Sequence, residues 1–197
     1  RTQIQCRKIE IDWPLRAKVI HYWDMGTALL TDLYELTMLD AALSSEVAQR
    51  RATFEVFARR LPPGRGYGVV SGPNRLADLL ADFTFSGEQL EYLAGLGRFS
   101  DELLSHVENF RFEGDVWSYR EGDLYVPGSP VLRVDCQFGA GLLLETLVLS
   151  VLNHDCAVAS AAARMHDVAD RRHLIEMGGR RTHEQAAVAA ARAAWLV

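Results

Sequence analysis

Gly139-Ala140-Gly141-Leu142-Leu143-Leu144-Glu145-Thr146-Leu147-Val148-Leu149-Ser150-Val151-Leu152-Asn153-His154-Asp155 is the stretch on which the reading of the fold turns. Its apolar run, Leu142 to Leu152, carries one charge, Glu145, and then meets three polar residues. A bilayer crossing takes about 20 consecutive apolar residues, so this run is too short and reads as a buried helix. Leucine and then alanine, both strong helix formers, extend the helical pattern over roughly 139–168.

Upstream of this helix the pattern changes to strands. Asp115 to Tyr119, Asp123 to Val126 and Val131 to Val134 are three strand candidates separated by Glu121-Gly122 and Pro127-Gly128 turns. Together they predict a small antiparallel sheet. Further upstream, helices are expected near 73–82, 86–96 and 100–108, with a short strand at 68–70 before them. Leu61-Pro62-Pro63-Gly64-Arg65-Gly66 must be a loop, because two prolines and two glycines break regular structure. The β-branched and aromatic content of Thr53 to Arg59 predicts a strand. Asp32 followed three residues later by Glu35 has the spacing of a capping box, and a helix is expected from there to Leu43. Downstream, His173 to Met177 reads as a short strand turned by Gly178-Gly179, and Thr182 or His183 begins a last helix through Trp195. The result is an α/β chain. Its apolar, alanine-rich end has no cap or stop signal, which predicts a truncated protein.

Residues 1–24 differ from the rest. They hold both lysines, Lys8 and Lys18, and Met25 opens the well-patterned region, so a non-native or disordered extension is expected there. No signal peptide pattern is visible, which points to the cytoplasm. The formal net charge of −5 offers no basic field for nucleic acid, and neither nucleic acid nor membrane is an expected partner. Cys6, Cys136 and Cys156 form no CxxC pair and fit a reducing compartment.

Five places have side chains able to do chemistry. Tyr34, in a first helical turn, either stacks on a flat ring and donates a hydrogen bond or covers the core edge. Arg59-Arg60 at a strand end, with Arg65 in the next loop, are either polyphosphate forks or a solvated terminus. Glu176-Met177-Gly178-Gly179-Arg180-Arg181-Thr182-His183 runs from strand through glycines into arginines and a helix start, a pattern that suits an anion or a plain turn. Asn153-His154-Asp155 reads as core polar contacts, since adjacent helical residues do not face each other. The remaining histidines have no partner at metal-ligand spacing, and no Walker loop, GxGxxG, HExxH or GxSxG pattern occurs.

Six segments, in order from about residue 27 to Val197, resemble the nicotinate phosphoribosyltransferases. They are Thr27 to Met38, Phe54 to Pro62, Asn109-Phe110-Arg111-Phe112, Val126-Pro127-Gly128, Leu143-Leu144-Glu145-Thr146 and Leu174 to His183. The resemblance implies a type II phosphoribosyltransferase with an N-terminal α/β domain (25–135), then a long helix and the beginning of an irregular α/β barrel (136–197), truncated. It implies a homodimer with shared active sites that makes nicotinate mononucleotide and pyrophosphate from nicotinate and phosphoribosyl pyrophosphate, with Mg²⁺ and ATP hydrolysis, in NAD salvage. It assigns Tyr34 to the nicotinate pocket across the dimer interface, and Arg180 with Arg181 to the ribose and phosphate end. Either Arg59 or Arg60 contacts pyrophosphate. The phosphorylatable histidine is expected beyond Val197. Gly179, Cys136 and Gly141 depart from the family pattern. A non-catalytic truncated remnant, or a relative using nicotinamide or quinolinate, is the alternative reading.

Overall fold

The computed structural model describes residues 7–9 and 27–197. Most of the extension expected over 1–24 lies outside the described residues. Within it, β1 (Arg7–Ile9) pairs antiparallel with β4 (Gly114–Ser118). β4 in turn pairs with β6 (Pro130–Gln137), and β6 with β2 (Arg51–Phe57), giving an antiparallel sheet in the order β1-β4-β6-β2.

The three strand candidates expected in one small antiparallel sheet do not all share it. β5 (Leu124–Tyr125) leaves the sheet and pairs with β3 (Gly68–Val69). The cause lies in the turn before it. Gly122 N–H donates to the Val70 carbonyl at 2.8 Å, and Val70 N–H donates to the Asp123 carbonyl at 2.9 Å. These bonds capture the turn on the β3 side, so β4 finds β6 as its neighbour instead.

Six α-helices lie among the described residues. α1 (Leu33–Ser44) starts at Asp32 with the capping box that the spacing predicts. α2 (Pro73–Ala81) has proline in its first turn, where a missing N–H costs nothing. α3 (Gly87–Gly95) and α4 (Asp101–Glu108) are each capped by a serine, Ser86 and Ser100. α5 (Phe138–Ala169) is the expected long helix. By length and composition α5 is able to cross a membrane, since it extends well past its apolar run, but its apolar residues are used inward. Leu143, Leu144, Leu147, Val148, Val151 and Leu152 are buried against Leu39, Leu76, Leu80, Leu132 and Val134 in one core.

The segment His173 to Met177 is not a strand. It has no regular structure and leads into a 3-10 turn at Gly178–Arg180, then α6 (Glu184–Trp195). Leu174, Ile175 and Met177 are exposed, so its β-prone side chains have no sheet beside them to complete the ladder. α6 packs on α5 and is tied by Arg192, whose two terminal nitrogens donate to Glu121 at 3.0 and 2.7 Å. Glu121 also accepts from Gly72 N–H and the Asn74 amide at the start of α2.

Cys136 and Cys156 are buried, and burial pushes both thiols up to about 11. The thiolate is the reactive form, so native protein at neutral pH should resist Ellman's reagent at both positions and react only after denaturation. Peptide mapping of the labelled sites checks this, and rapid native labelling of either would contradict the packing described.

Candidate functional site

Between β2 with its following loop and α5 runs a groove of about 980 Å³. Its α5 wall extends from Gly141 to Arg164, roughly 35 Å at the helical rise. At the floor of this groove strand and helix approach closely because one position lacks a side chain. A Cβ on Gly141 would sit 2.0 Å from the Phe54 ring. The ring thus lies against bare helix backbone and stacks on Phe138, with centroids 6.2 Å apart. This accounts for the glycine at 141. Gly141→Ala should push the Phe54 ring into the groove, at a cost of about 1–3 kcal/mol for overpacking. A thermal or urea melt together with the position of the ring in a crystal structure checks this; an unshifted ring at full stability would refute it.

The two ends of the groove differ in charge. At one end stand Asp32, Tyr34, Glu145 and Thr146. Tyr34 projects from the first turn of α1 and is 47% exposed. Desolvation first, then the Glu145, Glu35 and Asp32 carboxylates, raise its phenol above 10.0, so the hydroxyl remains a donor at neutral pH. Apolar walls follow, from Val56, Val134, Leu144, Val148 and Leu152. At the other end of the α5 wall stand Arg164 and Tyr67, and Arg59, Arg60 and Arg65 line the groove from the segment after β2. The Arg164 guanidinium lies 4.7 Å over the Tyr67 ring and donates to the Tyr67 and Ser160 carbonyls. Tyr67 donates its hydroxyl to Asp167 at 3.0 Å, and that bond, more than burial, raises its phenol. Arg164 is therefore held in place, whereas Arg59, Arg60 and Arg65 are exposed on the loop.

The structure brings together Tyr34, Arg59, Arg60 and Arg65, four of the residues singled out in the sequence. Arg180 and Arg181 are exposed and do not line the groove, and Arg181 donates to the Met177 carbonyl of its own turn at 2.7 Å. Because 173–177 is not a strand, the expectation that this turn lies beyond a strand's carboxyl end is not met. Tyr67 and Arg164 escaped sequence reasoning; 97 residues separate them, and neither spacing nor composition signals the contact.

Of Asn153-His154-Asp155, His154 and Asp155 make the expected core polar contacts, whereas Asn153 is exposed and lines the groove; one further correction applies. His154 Nδ1 does reach its neighbour, 2.8 Å from Asp155 Oδ1, because the ring turns along the helix surface toward the fully buried carboxylate. Arg75 grips the same carboxylate through Nε and Nη2, both at 2.9 Å. Neither His154 nor Asp155 lines the groove. Among the described residues no histidine lines it, and no group of three or more His, Cys, Asp and Glu is placed to hold a metal ion.

The fold and site define a class: a layered α/β domain with an open groove lined by an aromatic and acidic cluster at one end and by arginines. The family model of the nicotinate phosphoribosyltransferase (NAPRTase) N-terminal domain matches residues 29–153. The chain is 59% identical over 169 residues to nicotinate phosphoribosyltransferase pncB1 of Mycobacterium tuberculosis, covering 85% of this chain and 37% of that protein. It is 33% identical over 174 residues to the nicotinate phosphoribosyltransferase of Bacillus subtilis, covering 88% of this chain and 36% of that one. Its structure superposes on human nicotinic acid phosphoribosyltransferase with a TM-score of 0.77 at 29% identity, over 84% of this chain and 34% of the human one. The chain belongs to the nicotinate phosphoribosyltransferase family, through its N-terminal domain. It spans a little over a third of the length of the curated relatives it matches.

Proposed function

We propose that this chain supplies part of the active site of a nicotinate phosphoribosyltransferase, which joins nicotinate to phosphoribosyl pyrophosphate in NAD salvage. The observation that supports this best is the lining of one groove by Tyr34 beside Glu145 and Thr146 and by four arginines, Arg59, Arg60, Arg65 and Arg164. Tyr34 would stack on the pyridine ring and donate its hydroxyl. The guanidinium forks of Arg59 or Arg60 would bind pyrophosphate oxygens. Charge builds on the departing pyrophosphate as the anomeric carbon becomes oxocarbenium-like, so arginines there stabilise the transition state more than the ground state. Arg180 and Arg181 belong to the ribose and phosphate end on this reading, and their distance from the groove lining fits a site shared between two copies of a homodimer.

The described residues do not by themselves form a Mg²⁺ cage. Coupling to ATP rests on family resemblance, as does a cytoplasmic location, which the core packing of α5 accommodates.

Tyr34→Ala should weaken nicotinate binding by about 1 kcal/mol or more, the scale of an aromatic contact, and leave inorganic pyrophosphate binding unchanged. Calorimetric titration of the chain with each ligand tests this. Equal losses for both ligands, or none, would remove Tyr34 from the ring site.

A further inference from the structure

Glu35 follows Tyr34 directly, is fully buried, and does not itself line the groove. Its two carboxylate oxygens serve different elements. Oε2 accepts the Asp32 backbone N–H at 2.9 Å and the Thr31 hydroxyl, both at the start of α1. Oε1 accepts the Thr146 backbone N–H at 3.0 Å and the Thr146 hydroxyl at 2.8 Å, both from α5. The Tyr34 hydroxyl lies 3.5 Å from that same Oε1. Tyr34 and Thr146 face the groove from its two walls, with Glu35 behind them.

A capping box alone requires only the bond back to the N-cap. Here the second oxygen is committed to another helix. A hydroxyl can rotate to accept, but a backbone N–H only donates. Each oxygen faces one such N–H, so each must be an acceptor. A carboxylate meets both demands. The amide of glutamine has one oxygen and one NH₂, so it would set donor against donor on one side. The neutral donors, together with the N-terminal dipole of α1, offset the burial of the charge.

We propose that Glu35 is a positioning residue: it clamps the first turn of α1 to α5 and so fixes the Tyr34 ring at the Glu145–Thr146 end of the groove. This rests on the reading above, in which the pyridine ring binds there. Asp32 lies at the same seam, its Oδ2 3.3 Å from the Thr146 hydroxyl, where it competes with the nearer Glu35 for the single hydroxyl proton.

The test uses the 197-residue chain labelled with 3-fluorotyrosine, the Tyr34 resonance being assigned by Tyr34→Phe. Glu35→Gln should shift or broaden the Tyr34 signal while those of Tyr67 and Tyr125 stay in place. In a double-mutant cycle, Glu35→Gln should raise the Kd for nicotinate about tenfold when Tyr34 is present and less than about twofold when Tyr34→Ala is already made. Thr146→Ser keeps both donors and should behave as the parent protein. An unmoved Tyr34 signal, or an equal loss of binding with and without Tyr34, overturns the proposal. If the parent chain does not bind nicotinate, the functional reading fails, and the Tyr34 signal alone then decides the positioning role. If Glu35→Gln does not fold, Thr146→Val, which removes only the hydroxyl, must produce the same kind of shift at Tyr34 or the proposal falls.

Discussion

Arg75→Ala should destabilise the chain by about 3 kcal/mol or more in urea unfolding, one of the two largest losses expected from a single side chain here. Asp155 is fully buried on α5 and holds Arg75 through two bonds of 2.9 Å. Truncating the arginine leaves that carboxylate, among the described residues, with the His154 ring as its remaining side-chain partner. The cost then comes mainly from stranding a buried charge and much less from losing the attraction itself. The same substitution on an Asp155→Ala background should therefore cost far less, because no carboxylate remains to strand. Additive losses in that cycle would show that Arg75 acts through packing of its aliphatic stem instead.

Leu143→Ala should cost about 3–5 kcal/mol, whereas Leu149→Ala, less than two turns along the same helix, should cost under about 1 kcal/mol. Leu143 has no exposed surface and is enclosed by the core, so its removal opens a cavity. Leu149 is 44% exposed and lines the groove, where water replaces the lost atoms. Urea denaturation of both variants measures the contrast. Similar losses at the two positions would mean that the groove wall is closed in solution, and the site described above would need revision.

Much of the local structure was legible because its causes are local. The Asp32–Glu35 spacing foretold the start of α1, and the leucine-to-alanine run foretold α5. The paired prolines and glycines foretold the loop that carries Arg65, whereas Arg59, expected in the strand, lies past the end of β2. The misreadings arose where a distant partner decides. Residues 173–177 have strand-forming side chains, but a strand exists only when a neighbour takes its backbone groups, and none of the described residues does so. Leu124-Tyr125, expected in one small sheet with the strands on either side of it, pairs with β3 because two backbone bonds at Val70 hold the turn before it. His154 and Asp155 were judged unable to meet, a rule for well-spaced side chains that a turned imidazole beside a buried carboxylate evades.

By itself the sequence determined the helices, the loops and the family, since capping pairs, residue periodicity and ordered motifs are all written along one chain. Only the tertiary structure decided that Tyr34 and the arginines of the β2 loop share a groove, that Gly141 makes room for Phe54, and that Glu35 joins Tyr34 to Thr146 across 111 residues. Such contacts depend on how two distant elements approach in space, and hydrogen bonds between them leave no periodicity in the chain to be read.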